Sequence, residues 1–168
     1  MTINNHQPTE EEKKQIYEFY KSIYSSSFTK QKKINLINSL FLWEPWSWRV
    51  VGITTNALKE FKMNDFKYKT KTFSRDHFIQ DRKVTINQML DKILPFQEWW
   101  NLFWKNDQTI IVTQKEHSNK INSETSSVVD IDYKLGYFVC NNLIGFSYSK
   151  KKEGKFLEKL IDDNNLDL

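Results

Sequence analysis

Apolar side chains recur at two spacings along the chain, and the change from one to the other outlines its elements. Ile16, Tyr17, Phe19, Tyr20, Ile23 and Tyr24 stand three and four apart, as on one face of an α-helix. Thr9 with Glu12 ahead of them is the signature of a capping box. A second helix is predicted over Lys30 to Leu42, with Ile34, Ile37, Leu40 and Phe41 on one face. Pro45 breaks the run Trp43-Glu44-Pro45-Trp46-Ser47-Trp48, because it lacks an N–H and clashes with a preceding helical turn. Val50 to Ile53 reads as a short strand, and Thr54 or Thr55 caps a helix carrying Ala57, Leu58 and Phe61.

After a turn at Asn64-Asp65 the spacing drops to two. Phe66 to Thr72 alternates as a half-exposed strand and leads into Arg75-Asp76-His77. Val84 to Leu94 is predicted helical up to Pro95, and Phe96 to Lys105 forms an aromatic-rich helix in which Trp99, Trp100 and Trp104 read as core packing. Asn106-Asp107 marks a turn, Thr109 to Thr113 a buried strand and Gln114 to Ile121 a short helix. Strands are expected at Val128 to Ile131, Tyr137 to Cys140 and Leu143 to Tyr148, the last two joined as a hairpin by Asn141-Asn142, with a closing helix over Glu153 to Ile161. The expectation is an α+β chain forming a single domain over residues 1–168, with N-terminal helices in 1–44, a mixed core in 45–122, and a β-hairpin plus helix in 123–168.

Composition narrows the functional classes. At 39% hydrophobic and 15% aromatic residues, the 168-residue chain can build a core. No apolar run reaches bilayer length, and residues 1–14 carry no greasy leader, so a cytoplasmic protein without membrane contact is expected. The single cysteine, Cys140, excludes an internal disulfide and a multi-cysteine zinc site. The net charge of +4 is matched by one segment: between Phe66 and Lys83, six basic residues (Lys67, Lys69, Lys71, Arg75, Arg82, Lys83) face only Asp76 and Asp81. Such a local field attracts phosphates, although a lysine-studded, solvated strand face has the same composition.

Three histidines allow each to be weighed. His6 lies in a polar tail, His77 follows Arg75-Asp76 at the end of the basic strand, and His117 sits in the short helix after an apolar strand. Phosphodiester hydrolysis needs a base to activate water, a cation to neutralise developing charge, and groups that hold the phosphate. Imidazole titrates near working pH and suits the first task. A carboxylate with an imidazole or amide suits a hard divalent cation. Residues 73–120 contain all these types.

Ser74-Arg75-Asp76-His77-Phe78, then Asn106-Asp107, then Thr109-Ile110-Ile111-Val112-Thr113-Gln114-Lys115-Glu116-His117-Ser118-Asn119-Lys120 resembles the motif of the HNH nucleases, also called ββα-metal or His-Me finger nucleases. Small type II restriction endonucleases are the nearest resemblance, and Trp48-Arg49-Val50-Val51-Gly52-Ile53 is similar to a segment they carry ahead of the Arg-Asp-His strand. The resemblance implies a ββα-metal core within residues 45–122. It makes His77 the general base, Asp76 a metal ligand and His117 the second ligand, with Asn119 as substitute. Asn106 or Gln108 becomes the middle residue that orients the base. Thr113 and Glu116 stand where cysteine-bearing members hold a structural zinc, so no such zinc is expected.

Mg²⁺ or Mn²⁺ is the implied cofactor, and Arg75, Arg82, Lys67, Lys69 and Lys71 are candidate phosphate contacts. Arg82 has an alternative as the partner of Asp81 or of a helix end. Trp43, Trp46 and Trp48 either pack beneath the site or wedge into a groove. The expected activity is cleavage of a short specific site in double-stranded DNA by a homodimer, since palindromic sites suit two-fold symmetry. A homing, phage or toxin nuclease, or a non-catalytic DNA-binding protein, remain the alternatives.

Overall fold

A computed structural model describes residues 7–42, 44–119, 127–139 and 148–166. In chain order the elements are helices α1 (Glu10–Ser25) and α2 (Lys30–Leu42), strand β1 (Arg49–Thr54), helix α3 (Thr55–Met63), strand β2 (Phe73–His77), and helices α4 (Arg82–Asp91) and α5 (Phe96–Asn106). Strand β3 (Gln108–Thr113), helix α6 (Gln114–Asn119), strand β4 (Val128–Asp130), a 3-10 turn (Tyr133–Leu135), a π-turn (Lys150–Gly154) and helix α7 (Lys155–Asp163) complete the described chain. The α+β class expected from the pattern holds. The expected hairpin over Tyr137 to Tyr148 falls mostly outside the described residues; Tyr137 to Val139, which are described, are irregular rather than extended.

The described residues form two compact units that alternate along the chain. The helical unit takes residues up to Trp48 together with His77–Gln108, and the sheet unit takes residues 49–76, 109–119, 127–139 and 148–166.

In the helical unit, the hydroxyl and backbone N–H of Thr9 exchange hydrogen bonds with Glu12, closing the capping box at the start of α1. The core gathers Tyr20, Phe41, Trp46, Trp99, Trp100 and Phe103, so the indoles of α5 pack inward as their spacing predicted. Phe41 and Phe103 stack with ring centres 3.8 Å apart. Tyr20 and Trp99 stack at 5.5 Å. The Tyr20–Trp99 pair, with its centroids in the offset range, adds about 0.5–1.5 kcal/mol beyond the area it buries. The helix expected over Val84 to Leu94 spans Arg82–Asp91 and ends before Pro95 is reached; two tyrosines serve carbonyls there, Tyr20 donating to Met89 O at 2.8 Å and Tyr17 to Leu94 O at 2.7 Å. Burial raises the Tyr20 phenol above its ordinary value.

In the sheet unit, strand order is β2-β3-β1-β4. Strand β1 pairs antiparallel with β4, Gly52 opposite Asp130. Hydrogen bonds from Gln114 N to Thr72 O and from Phe78 N to Gln108 O fix β2 and β3 as antiparallel neighbours. Gly52 is required by close approach, since a Cβ there would lie 2.7 Å from Val128 Cγ1. Thr54 caps α3 by accepting from Ala57 N. Ile53, Leu58, Phe61, Phe73, Ile111 and Leu157 share the second core.

The lysine-bearing strand expected over Phe66 to Thr72 does not form; turns and irregular chain occupy those residues, and extended structure begins at Phe73. Asp65, Phe66 and Lys71 adopt positive φ of 53°, 49° and 66°, a left-handed geometry that no strand accommodates. Tertiary bonds hold the turn in place: Tyr148 donates to Phe66 O at 2.5 Å, and Lys150 meets Asp65 at 2.5 Å. Hydrogen bonding to Lys150, then its charge and the Lys67 contact, holds the Asp65 carboxyl below its ordinary value. Alternation at period two therefore lost to a clamp it does not encode.

Burial, reinforced by the charges of Glu153 and Glu158, pushes the Tyr148 phenol up to about 12. Its folded value exceeds the unfolded value of 10.0, so the stabilisation is complete below that unfolded value and declines as pH rises through the folded one. Tyr148→Phe should shallow the fall of stability above the unfolded phenol value relative to wild type, read by urea unfolding across alkaline pH. An identical alkaline slope in both proteins would contradict this.

Candidate active site

Within the helical unit the key position is Trp48, which follows the Pro45 break. It adopts φ 59°, an uncommon geometry for a bulky residue. Its backbone N–H donates to Asp107 Oδ2 at 2.8 Å, which holds that geometry. The other oxygen of Asp107 accepts from Arg82, whose guanidinium also donates to Ser47 Oγ at 2.5 Å. Arg82 and Asp107 are almost fully enclosed, with 5% and 1% of their side chains exposed. The Trp48 ring contacts two groups: the Arg82 guanidinium 4.6 Å from its centre and the His77 ring, also at 4.6 Å.

His77 is thus packed rather than free to rotate. Its side chain is 12% exposed, its Nε2 is buried, and its Nδ1 lies 3.7 Å from Oδ1 of the largely exposed Asp81. Arg82, a candidate phosphate contact, is committed to Asp107 and Ser47, so its alternative role as an internal ion-pair partner fits its burial. Its partner is Asp107 rather than Asp81. Asn106, a candidate for the middle motif position, is buried and donates to Leu102 O of its own helix. Gln108 opens β3, where its carbonyl accepts from Phe78 N.

Within the sheet unit, β3 runs directly into α6, and Thr113 and Glu116 at that junction bond reciprocally. Glu116 N donates to Thr113 Oγ1 at 3.2 Å, while Thr113 N and Oγ1 both donate to Glu116 Oε2, at 2.8 and 2.9 Å. Thr54 Oγ1 adds a bond to the same oxygen at 2.9 Å, and Asn56 Nδ2 reaches Oε1 at 3.1 Å. Thr113 and Glu116 thus make a capping box, and the Glu116 carboxylate joins β1, α3 and the start of α6.

Glu116 is thereby immobilised and presents His117, its neighbour, to solvent. His117 Nδ1 stands 3.7 Å from Asp76 Oδ2, with 43% and 26% of the two side chains exposed. Ligand atoms about 2.0–2.3 Å from a common divalent ion lie roughly 3–4 Å apart, so this pair fits two positions of one cation. Asn119 is exposed and two residues beyond His117 on α6, hence on a different helical face. Among the described residues no cluster of three or more His, Cys, Asp or Glu side chains forms a ready metal cage. Lys67, Lys69 and Lys71 are exposed on the turn; Lys67 contacts Asp65 at 3.5 Å, and Lys69 bonds Asn64. Arg75 is half-buried in β2.

Two residues escaped sequence reading. Asp107 was legible only as a turn signal, although a carboxylate beside a helix C-terminus needs a cation. Glu116 carried a clear signal, the Thr-x-x-Glu spacing of a capping box. No helix among the described residues is long and apolar enough to cross a membrane. No protein-family model, curated protein or solved structure matches the chain.

Removing the Asp107 charge strands a buried guanidinium, and breaking such a pair from one side costs about 3–5 kcal/mol. Asp107→Asn should therefore destabilise strongly in urea melts, whereas pairing it with Arg82→Met should recover a substantial part of the loss. Additive losses in the double variant would show that the pair is not coupled.

Proposed function

We propose that this chain is a metal-dependent endonuclease that hydrolyses phosphodiester bonds in double-stranded DNA, and that its site specificity is of the type II restriction kind. The observation that carries the reading is the 3.7 Å approach of Asp76 and His117, with His77 next to Asp76 in the chain. The resemblance of residues 74–120 to the HNH motif supports it independently.

In this reading His77 is the general base. Its Nδ1 lies on the side of Asp81, 3.7 Å from Oδ1. Asp81 then faces the imidazolium and lowers the free energy of the charged ring. Asp76 and His117 would hold Mg²⁺ or Mn²⁺. Bound there, the cation supplies neutralisation of charge on the phosphate and its departing oxygen. Two protein ligands leave most of its coordination to water and phosphate, which accords with weak metal affinity in the absence of DNA. Arg75, Lys67, Lys69 and Lys71 are the proposed phosphate contacts, and a homodimer is the proposed assembly on a palindromic site.

Supercoiled plasmid of known sequence, incubated with Mg²⁺ or Mn²⁺, should give discrete fragments that EDTA abolishes. A smear would favour a nonspecific nuclease, and binding without strand scission a DNA-binding protein. His77→Ala should lower the cleavage rate about a hundredfold to ten-thousandfold with folding and DNA binding retained. His117→Asn should keep partial activity, since an amide oxygen still suits a hard cation, and His117→Ala should lose far more. Full cleavage by folded His77→Ala would refute its role as base.

A further inference from the structure

Helix α2 buries Ile34, Ile37 and Phe41 in the core of the helical unit and turns three amides to another face. Gln31, Asn35 and Asn38 follow one another four and three residues apart, the spacing that aligns side chains in a stripe. They form one wall of a concavity of about 420 Å³ whose remaining lining includes Trp48, His77, Asp81, Lys83 and Ile86. This size accommodates a nucleobase with part of its sugar. The backbone that carries these amides belongs to a helix packed into the core of the helical unit.

The polar groups facing this space have bonding capacity in reserve. Gln31 Nε2 donates to Asn35 Oδ1 at 3.0 Å, orienting both amides and leaving the Asn35 N–H groups for another acceptor. Asn38 is half-buried, and its amide makes no hydrogen bond among the described residues. Lys83 is exposed at the rim, and its ammonium makes no ion pair among the described residues. Helix α2 itself contains no acidic residue to repel a phosphate backbone.

We propose that this concavity reads a base of the DNA substrate: Asn35 and Asn38 recognise the edge of an adenine, and Lys83 holds a neighbouring phosphate. A carboxamide offers a donor and an acceptor side by side, matching the N7 acceptor and N6 hydrogens of adenine in two parallel bonds. Guanine shows two acceptors on that edge and would set one against the amide oxygen. His77, the proposed general base, lines the same space. The inference takes DNA as the ligand from the nuclease reading above.

The test is selection of bound duplexes from a library with randomised positions, without Mg²⁺ or Mn²⁺, followed by sequencing, with thermal melts of each variant. Wild-type protein should enrich adenine at one or two positions by roughly five- to a hundredfold, the range for a good bidentate contact. Asn35→Ala and Asn38→Ala should lose that enrichment while still binding unselected duplex. Asn38→Asp or Asn35→Asp should move the preference toward cytosine, whose N4 group only donates. Lys83→Ala should weaken all sequences equally and shallow the salt dependence by about one phosphate contact.

Adenine enrichment that survives both alanine substitutions, or its absence in the wild type, would overturn the proposal. The two readings separate on a parallel cleavage assay with Mg²⁺. Adenine-selective binding without cleavage overturns the nuclease and leaves the base-reading site; cleavage whose base preference neither substitution alters overturns the base-reading site alone.

Discussion

The carboxylate of Asp107 is the constraint on which the organisation of the helical unit depends. One oxygen fixes the backbone of Trp48 in a left-handed geometry, and the other neutralises the enclosed Arg82. Such a backbone state costs about 1–3 kcal/mol and persists only where surrounding contacts over-determine it. Because Arg82 opens α4 and Asp107 closes α5, one ion pair sets the turn after α2 against two helix ends. The indole that results is the wall against which His77 rests, so a structural ion pair orients the side chain proposed as the general base.

Glu116 has the corresponding role in the sheet unit. Five hydrogen bonds with Thr54, Asn56 and Thr113 bring strand, helix start and helix cap to one side chain. A six-residue helix has little stability of its own, since helix nucleation is unfavourable and short helices depend on tertiary contacts. The cap therefore decides where His117 points, and His117 meets Asp76 because β2 is the hydrogen-bonded neighbour of the strand that feeds α6. Reciprocal hydrogen bonds between Thr113 and Glu116 stabilise this junction.

The proposed division of labour follows from these supports. A two-ligand site is open enough for phosphate and water to complete it, and such openness gives little discrimination between DNA sequences. Discrimination has to come from groups that address base edges, and the amide stripe of α2 is a set of that chemistry beside His77.

Helix α2 was legible to its end residues, the start of α3 followed from the capping chemistry of Thr54, and the end of β3 at Thr113 from the apolar run before it. These signals are local: a cap, a break or a repeat is written within a few residues. For the same reason the chain could nominate Asp76, His77 and His117 by type and order. Period-two alternation in Phe66 to Thr72 was misleading, because the left-handed turn there is held by Tyr148 and Lys150 more than eighty residues away. Arg82 could be weighed as phosphate ligand or internal partner, but only its enclosure beside Asp107 distinguished them. The amides of α2 carried no signal until folding set them around Trp48 and His77. Sequence determined which elements form and which residue types are on hand; tertiary structure decided which of them meet, because burial and pairing across long separations depend on contacts that no local pattern contains.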